Sequence, residues 1–159
     1  MTDTRSQIGS IYTCEVENCC LCLIVSCYYF STNYLTWSES RDECRQKGGD
    51  LVQIDSREEQ VKHTDKFWIG LTDSEKEGTW LWVDRSPLNK RLTFWSGKEP
   101  DNRAMYNPDG EDCVRMGKKA GAPDLKCWFD QSCKYTYRSI CEKPAETGHF
   151  TLQISPIGD

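Results

Sequence analysis

The chain has 159 residues, enough for one domain of ordinary size and too few for two. Hydrophobic residues make up 37% and aromatic residues 11%, with six Trp among them, which supports a packed core and excludes a disordered chain. A formal net charge of -5 leaves no basic footprint for nucleic acid or anionic lipid, and ten cysteines point to an oxidising compartment.

The cysteines fall into a dense group, Cys14, Cys19, Cys20, Cys22 and Cys27, and a sparse one, Cys44, Cys113, Cys127, Cys133 and Cys141. Counting leaves their connectivity open, and a metal site in the dense group lacks a nearby His and has poor spacing. Residues 1–26 read as an irregular Cys-rich segment. The apolar run over residues 19–30 is about twelve residues long, short of the roughly 18 that a membrane helix needs. Its β-branched and aromatic content predicts a β-strand instead, and no clear signal peptide precedes it.

Thr36-Trp37-Ser38-Glu39 is a capping-box pattern, and it predicts a helix that runs to the Gly48-Gly49 pair with a thin apolar face of Trp37 and Cys44. Ser56-Arg57-Glu58-Glu59 repeats the pattern and predicts a second, short helix to about His63 or Thr64. Between them Leu51-Val52-Gln53-Ile54 alternates as a short strand. From Phe67 onward the pattern is strands and turns, with strands expected over 67–71, 80–83, 113–116, 128–129 and 137–141. Residues 87–110 are rich in Pro, Gly and Asn and read as one long loop, a length that in a compact domain is usually functional. Residues 145–159 read as a tail.

Carboxylates and amides concentrate in this loop-rich half: Asp73 and Glu77, then Glu99, Asp101 and Asn102, then Asp109, Glu111 and Asp112, and finally Asp130. Like charges gathered by a fold repel unless a cation neutralises them, and oxygen ligands without His suit calcium. A solvated acidic loop is the other reading of the same residues. No Ser-His-Asp or Cys-His grouping stands out as catalytic.

Five pieces in this order resemble a C-type lectin domain: Trp68-Ile69-Gly70-Leu71, the run from Glu77-Gly78-Thr79-Trp80 to Asp84, Trp95-Ser96-Gly97-Lys98-Glu99-Pro100-Asp101-Asn102, Glu111-Asp112-Cys113 and Ile140-Cys141-Glu142-Lys143. The resemblance covers residues 27–144. It implies an α+β, double-loop fold in which two helices flank small antiparallel sheets stapled by disulfides. It pairs Cys44 with Cys141 and Cys113 with Cys133, and it makes Cys27 a member of a third bridge for which Cys14 is the nearest candidate by spacing. The bridge from Cys44 closes about a hundred residues, for which chain entropy sets an upper estimate of ~4–5 kcal/mol.

The resemblance also implies a sugar-facing calcium site of Glu99, Asp101, Glu111 and Asp130, and a second calcium site of Asp73, Glu77, Asn102, Glu111 and Asp112. Pro100 matches a proline that is typically cis in the family. Glu99-Pro100-Asp101 is a hybrid of the family's mannose-type and galactose-type signatures, and two carboxylates offer acceptors only, so sugar hydroxyls have to donate. Phe129 stands where the family carries an Asn that ligates calcium. The expected function is a calcium-dependent carbohydrate-binding lectin, not an enzyme, binding glycans or glycoproteins outside the cell as a secreted protein or receptor ectodomain. A calcium-independent, protein-binding domain of the killer-cell-receptor type, with a cell-surface protein ligand, is the reading that Phe129 favours.

Overall fold

A computed structural model describes residues 12–13, 20–22, 26–56, 65–103, 108–117 and 125–145. The elements in order are β1 (Tyr12–Thr13), β2 (Cys20–Cys22), β3 (Ser26–Phe30), α1 (Trp37–Gln46), β4 (Asp50–Leu51), β5 (Phe67–Thr72), β6 (Leu81–Trp82), β7 (Cys113–Met116), β8 (Trp128–Gln131) and β9 (Arg138–Pro144). The strands join into one mixed sheet in the order β1-β2-β3-β9-β5-β7-β8, with β4 on β9 and β6 on β5. All pairings between these strands are antiparallel except β5 with β9, where Phe67 faces Arg138 and Trp68 faces Ser139 in parallel.

The helix starts as its capping box predicts. The Thr36 N–H donates to Glu39 Oε2 at 2.9 Å, and the Glu39 N–H donates to Thr36 Oγ1. The hydrogen bond from Thr36 holds the exposed Glu39 carboxyl below its ordinary value. Trp37, Ser40 and Cys44 are the buried face, so the helix is held less by apolar area than by the Cys44–Cys141 bridge to β9, with Cα atoms 5.3 Å apart. Gly49 then lets the chain turn under β9. A Cβ there would sit 2.1 Å from the Glu142 carbonyl oxygen, so any other residue would push the two segments apart.

The apolar run of β5 is continuous because the strand is buried on both faces. Phe67, Ile69 and Leu71 enter the larger core with Val52, Ile54, Val114, Met116 and Ile140. Trp68 points the other way, into a smaller cluster with Trp37, Leu51 and the Cys44–Cys141 and Cys113–Cys133 sulfurs. Both disulfides that the resemblance implied are present, the second with Cα atoms 5.1 Å apart. Cys27 is disulfide-bonded, while Cys14 and Cys19 lie outside the described residues. Cys127 is a buried thiol at the edge of the larger core.

Several expectations change in extent. The run 19–30 is not one strand but two, β2 and β3, paired antiparallel with Cys22 opposite Cys27. The strand expected at 51–54 keeps ladder pairing only at β4. Beyond it Val52 donates to the Ile140 carbonyl and accepts from the Gly70 N–H, so the chain threads between β9 and β5. The strand at 80–83 shortens to β6 because Arg85 turns into the left-handed region, φ 71°, and donates its N–H to the Trp82 carbonyl at 2.8 Å. The second helix and the tail fall on residues 57–64 and 146–159, outside the described residues.

Candidate metal centre

The long loop carries no strand among its described residues, yet backbone hydrogen bonds tie it to β8 at Trp128. Trp128 is fully buried, with Phe94, Trp95 and Trp82 at ring-centroid distances of 5.3, 5.7 and 5.9 Å. The Trp128 N–H donates to the Phe94 carbonyl at 2.8 Å, and Ser96 N–H donates to the Trp128 carbonyl at 3.0 Å. This aromatic clamp delivers the next residues of the loop to the side chain two positions along β8, Asp130.

Glu99, Asp101 and Asp130 meet there. One oxygen from each lies within 4.8 Å of the others, and among the described residues no other acidic, His or Cys trio is drawn together so closely. The Glu99-Pro100 peptide is cis, as the resemblance implied. Asp130 is buried and accepts the backbone N–H of Asp101 at 3.1 Å and of Asn102 at 2.7 Å. Glu111 adjoins the trio: it accepts the Arg103 N–H at 2.9 Å and the Gln131 side-chain amide at 2.9 Å. Its own N–H donates to Asn102 Oδ1 at 2.8 Å.

Burial without a counter-charge shows in the proton affinities. Desolvation first, then a hydrogen bond to Asp130 and the charges of Asp130, Asp101 and Glu111, push the Glu99 carboxyl up to about 8. Glu111 is raised as well, chiefly by burial and against the opposing Arg103 N–H. At an effective dielectric of about 20, each pair of carboxylates ~4 Å apart repels by roughly 4 kcal/mol, so the cluster takes up either protons or a cation. Arg103 Nε reaches Asp101 Oδ2 at 2.8 Å, but its side chain is largely exposed and screened. The other oxygen, Asp101 Oδ1, is buried with no hydrogen-bond partner among the described residues. An orphaned, inward carboxylate oxygen beside two further carboxylates fits a hard, oxygen-seeking cation such as calcium.

The second predicted set is laid out more loosely. Asp73 is buried, accepts the Gly78 N–H at 2.8 Å with one oxygen and leaves the other without a partner among the described residues. Burial raises its carboxyl to about 6 against that hydrogen bond, with Glu77, Asp112 and Asp130 adding repulsion. Asp112 is raised by burial and by Asp109. Asn102 and Asp112 converge over Gly110, where a Cβ would lie 2.7 Å from Asn102 Oδ1 and 3.3 Å from Asp112 Oδ1. Asn102 itself has φ 40°.

Phe129 precedes Asp130 on β8. Its ring is buried and lies under the Arg115 guanidinium, 4.0 Å from the ring centroid, the two residues being direct partners across β7 and β8. Gln131, two residues on and on the same strand face, was not anticipated as a partner of Glu111. The period-2 rule from Phe129 was the available signal for that face.

The family model for the Lectin C-type domain matches residues 33–143. The chain belongs to the C-type lectin family. It is 40% identical over 153 residues to the mouse (Mus musculus) protein "C-type lectin domain family 4 member E", spanning 90% of this chain and 65% of that relative's length. Among solved structures, the mouse scavenger receptor C-type lectin carbohydrate-recognition domain superposes with a TM-score of 0.69 at 34% identity, covering 80% of this chain and 96% of that one. The murine dendritic cell inhibitory receptor 2 domain, solved in complex with N-glycan, gives a TM-score of 0.67 at 30% identity over 79% of this chain and 96% of that one. The fold is the α+β C-type lectin fold, and the family consists of carbohydrate-binding receptors, not enzymes. No helix among the described residues is long and apolar enough to cross a membrane.

Proposed function

We propose that this C-type lectin binds carbohydrate through calcium held by Glu99, Asp101 and Asp130, with Glu111 completing the set. The observation that carries the reading is the convergence of three carboxylates, one oxygen of each within 4.8 Å of the others, together with a buried Asp101 oxygen that has no hydrogen-bond partner among the described residues. A bound calcium supplies a coordination centre for paired hydroxyls, and the same carboxylates accept hydrogen bonds from those hydroxyls. Glycans or glycoproteins outside the cell are the partners this chemistry recognises. Asp73, Glu77, Asn102, Glu111 and Asp112 form a second calcium site that stiffens the loop from its far side.

The buried Phe129 supports a second reading, a calcium-independent domain that binds a cell-surface protein, because its ring offers no oxygen to an ion. Calorimetric titration of calcium, followed by glycan-array binding with and without chelator, separates the two. Heat with saturable stoichiometry and chelator-sensitive glycan binding are expected. Absence of both sinks the lectin reading and leaves the protein-binding one.

A further inference from the structure

Between α1 and the turn after β6 lies a cavity of about 420 Å³ that shares no residue with the carboxylate trio. Its floor is aromatic and aliphatic, with the buried Trp37 and Trp82 beside Leu81. Three guanidinium groups stand around it. Arg41 and Arg45 lie one helical turn apart on α1, and Arg85 comes from the opposite wall.

The three are not equally committed. Arg41 is fixed, bound through Nε and Nη2 to Asp50 at 3.1 and 3.2 Å and to the Val83 carbonyl at 2.9 Å. Arg45 is half-exposed and has one contact of 3.6 Å with Asp50. Arg85 pairs with Glu75 across open solvent, both side chains being more exposed than not. Such surface pairs contribute little, so a ligand can displace them at small cost. Asp84, the other carboxylate of the lining, is turned into its own loop, where it accepts the Ser86 N–H and hydroxyl. Arg85 is also held at φ 71°, a region disfavoured for any residue with a Cβ, which is where functional positions concentrate.

We infer that this cavity is a second ligand site for an oxyanion-bearing saccharide of one or two rings. Guanidinium forks match sulfate esters and carboxylates, the apolar lining of Leu81, Val83 and the edges of the buried indoles borders a sugar ring, and the volume lies in the range of small-ligand sites. Its ligand is set by arginines, whereas the carboxylate trio needs a cation, so the two sites act independently.

The test uses the full chain in excess chelator, so that failure of the calcium reading does not touch it. Glucose 6-sulfate, N-acetylneuraminic acid and uncharged glucose are titrated while indole N–H resonances are followed by NMR. Saturable millimolar shifts of the Trp37 and Trp82 indoles with one or both anions, and none with glucose, are expected. The sulfate and carboxylate arms show which oxyanion is preferred. Arg45→Gln and Arg85→Gln, both on exposed side chains, should each weaken binding by about 5-fold or more while the remaining spectrum is unchanged. Absence of saturable shifts with either anion, equal response to glucose, or indifference to both substitutions overturns the proposal. Tighter binding of a poly-glutamate peptide than of either sugar also overturns it, in favour of an acidic protein segment.

Discussion

Asp130 Oδ2 accepts the Asn102 N–H at 2.7 Å, joining β8 to the long loop. Because the other oxygen holds the Asp101 N–H, one buried carboxylate fixes the loop whether or not a cation is bound. Hydrogen bonds to charged acceptors are worth about 1.5–3 kcal/mol each, so the loss of two in Asp130→Ala should lower stability by roughly 3–6 kcal/mol. Asp130→Asn keeps one acceptor oxygen and should cost about 1–2 kcal/mol, while lowering calcium affinity at least about 10-fold. Chemical denaturation and calorimetry read the two effects separately; a stable Asn variant with unaltered calcium affinity would remove Asp130 from the ligand set.

The carboxyl groups at the site set a pH dependence with a definite sign. Glu99 at about 8 and Asp73 at about 6 both lie above their ordinary values, so the folded chain binds more protons than the unfolded one between those limits. Stability of the calcium-free protein therefore falls as pH rises from about 5 to 8, because deprotonation leaves charges that are buried and that repel one another. Calcium replaces those protons, so its binding should release protons at neutral pH and weaken as pH drops. Thermal melts from pH 5 to 8 with chelator and with calcium check this: the melting temperature should fall with pH in the first series and hold in the second. A calcium-free protein that is most stable at pH 8 contradicts it.

The legible parts of this chain were those in which a local pattern has one structural solution. Thr36 and Glu39 satisfy each other's amides within one turn, so the capping box could be read without tertiary information. The cysteine pairs at 44–141 and 113–133 came with the family resemblance, since spacing alone leaves connectivity open. Less was readable where pairing partners decide. Val52 looks like a strand residue, but its hydrogen bonds go to Ile140 and Gly70 on two different strands. At the site, Glu99, Asp101 and Asp130 were nameable from the motifs. The contact between Gln131 and Glu111 depends on the β7–β8 register and a fold-back of the loop, neither of which sequence displays.

Phe129→Asn tests whether the ligand set is otherwise assembled. The substitution restores an amide oxygen next to Asp130 and should tighten calcium severalfold. It also removes a buried ring from under Arg115, so stability should fall by about 2–4 kcal/mol. Calorimetry below the lowered melting temperature measures the affinity. No change in affinity would mean that the loop presents its carboxylates differently from the arrangement proposed.

The aromatic clamp predicts a coupling between core and site. Trp128 touches Phe94, Trp95 and Trp82, and its backbone bonds both ends of the Phe94–Ser96 segment, yet it lies two residues from Asp130 and carries no ligand atom itself. Trp128→Leu leaves a cavity where a fully buried indole stood and should cost about 3–5 kcal/mol. Since the loop then loses the packing that aims Glu99 at Asp130, calcium affinity should fall along with stability. A Trp82→Leu variant provides the contrast, since it opens the same cluster from β6 while leaving the loop-to-β8 hydrogen bonds in place. If calcium affinity tracks stability alone, both variants will weaken it in proportion to their melting temperatures. If the clamp positions the loop, Trp128→Leu weakens calcium more than Trp82→Leu does at equal loss of stability, and that is the outcome expected.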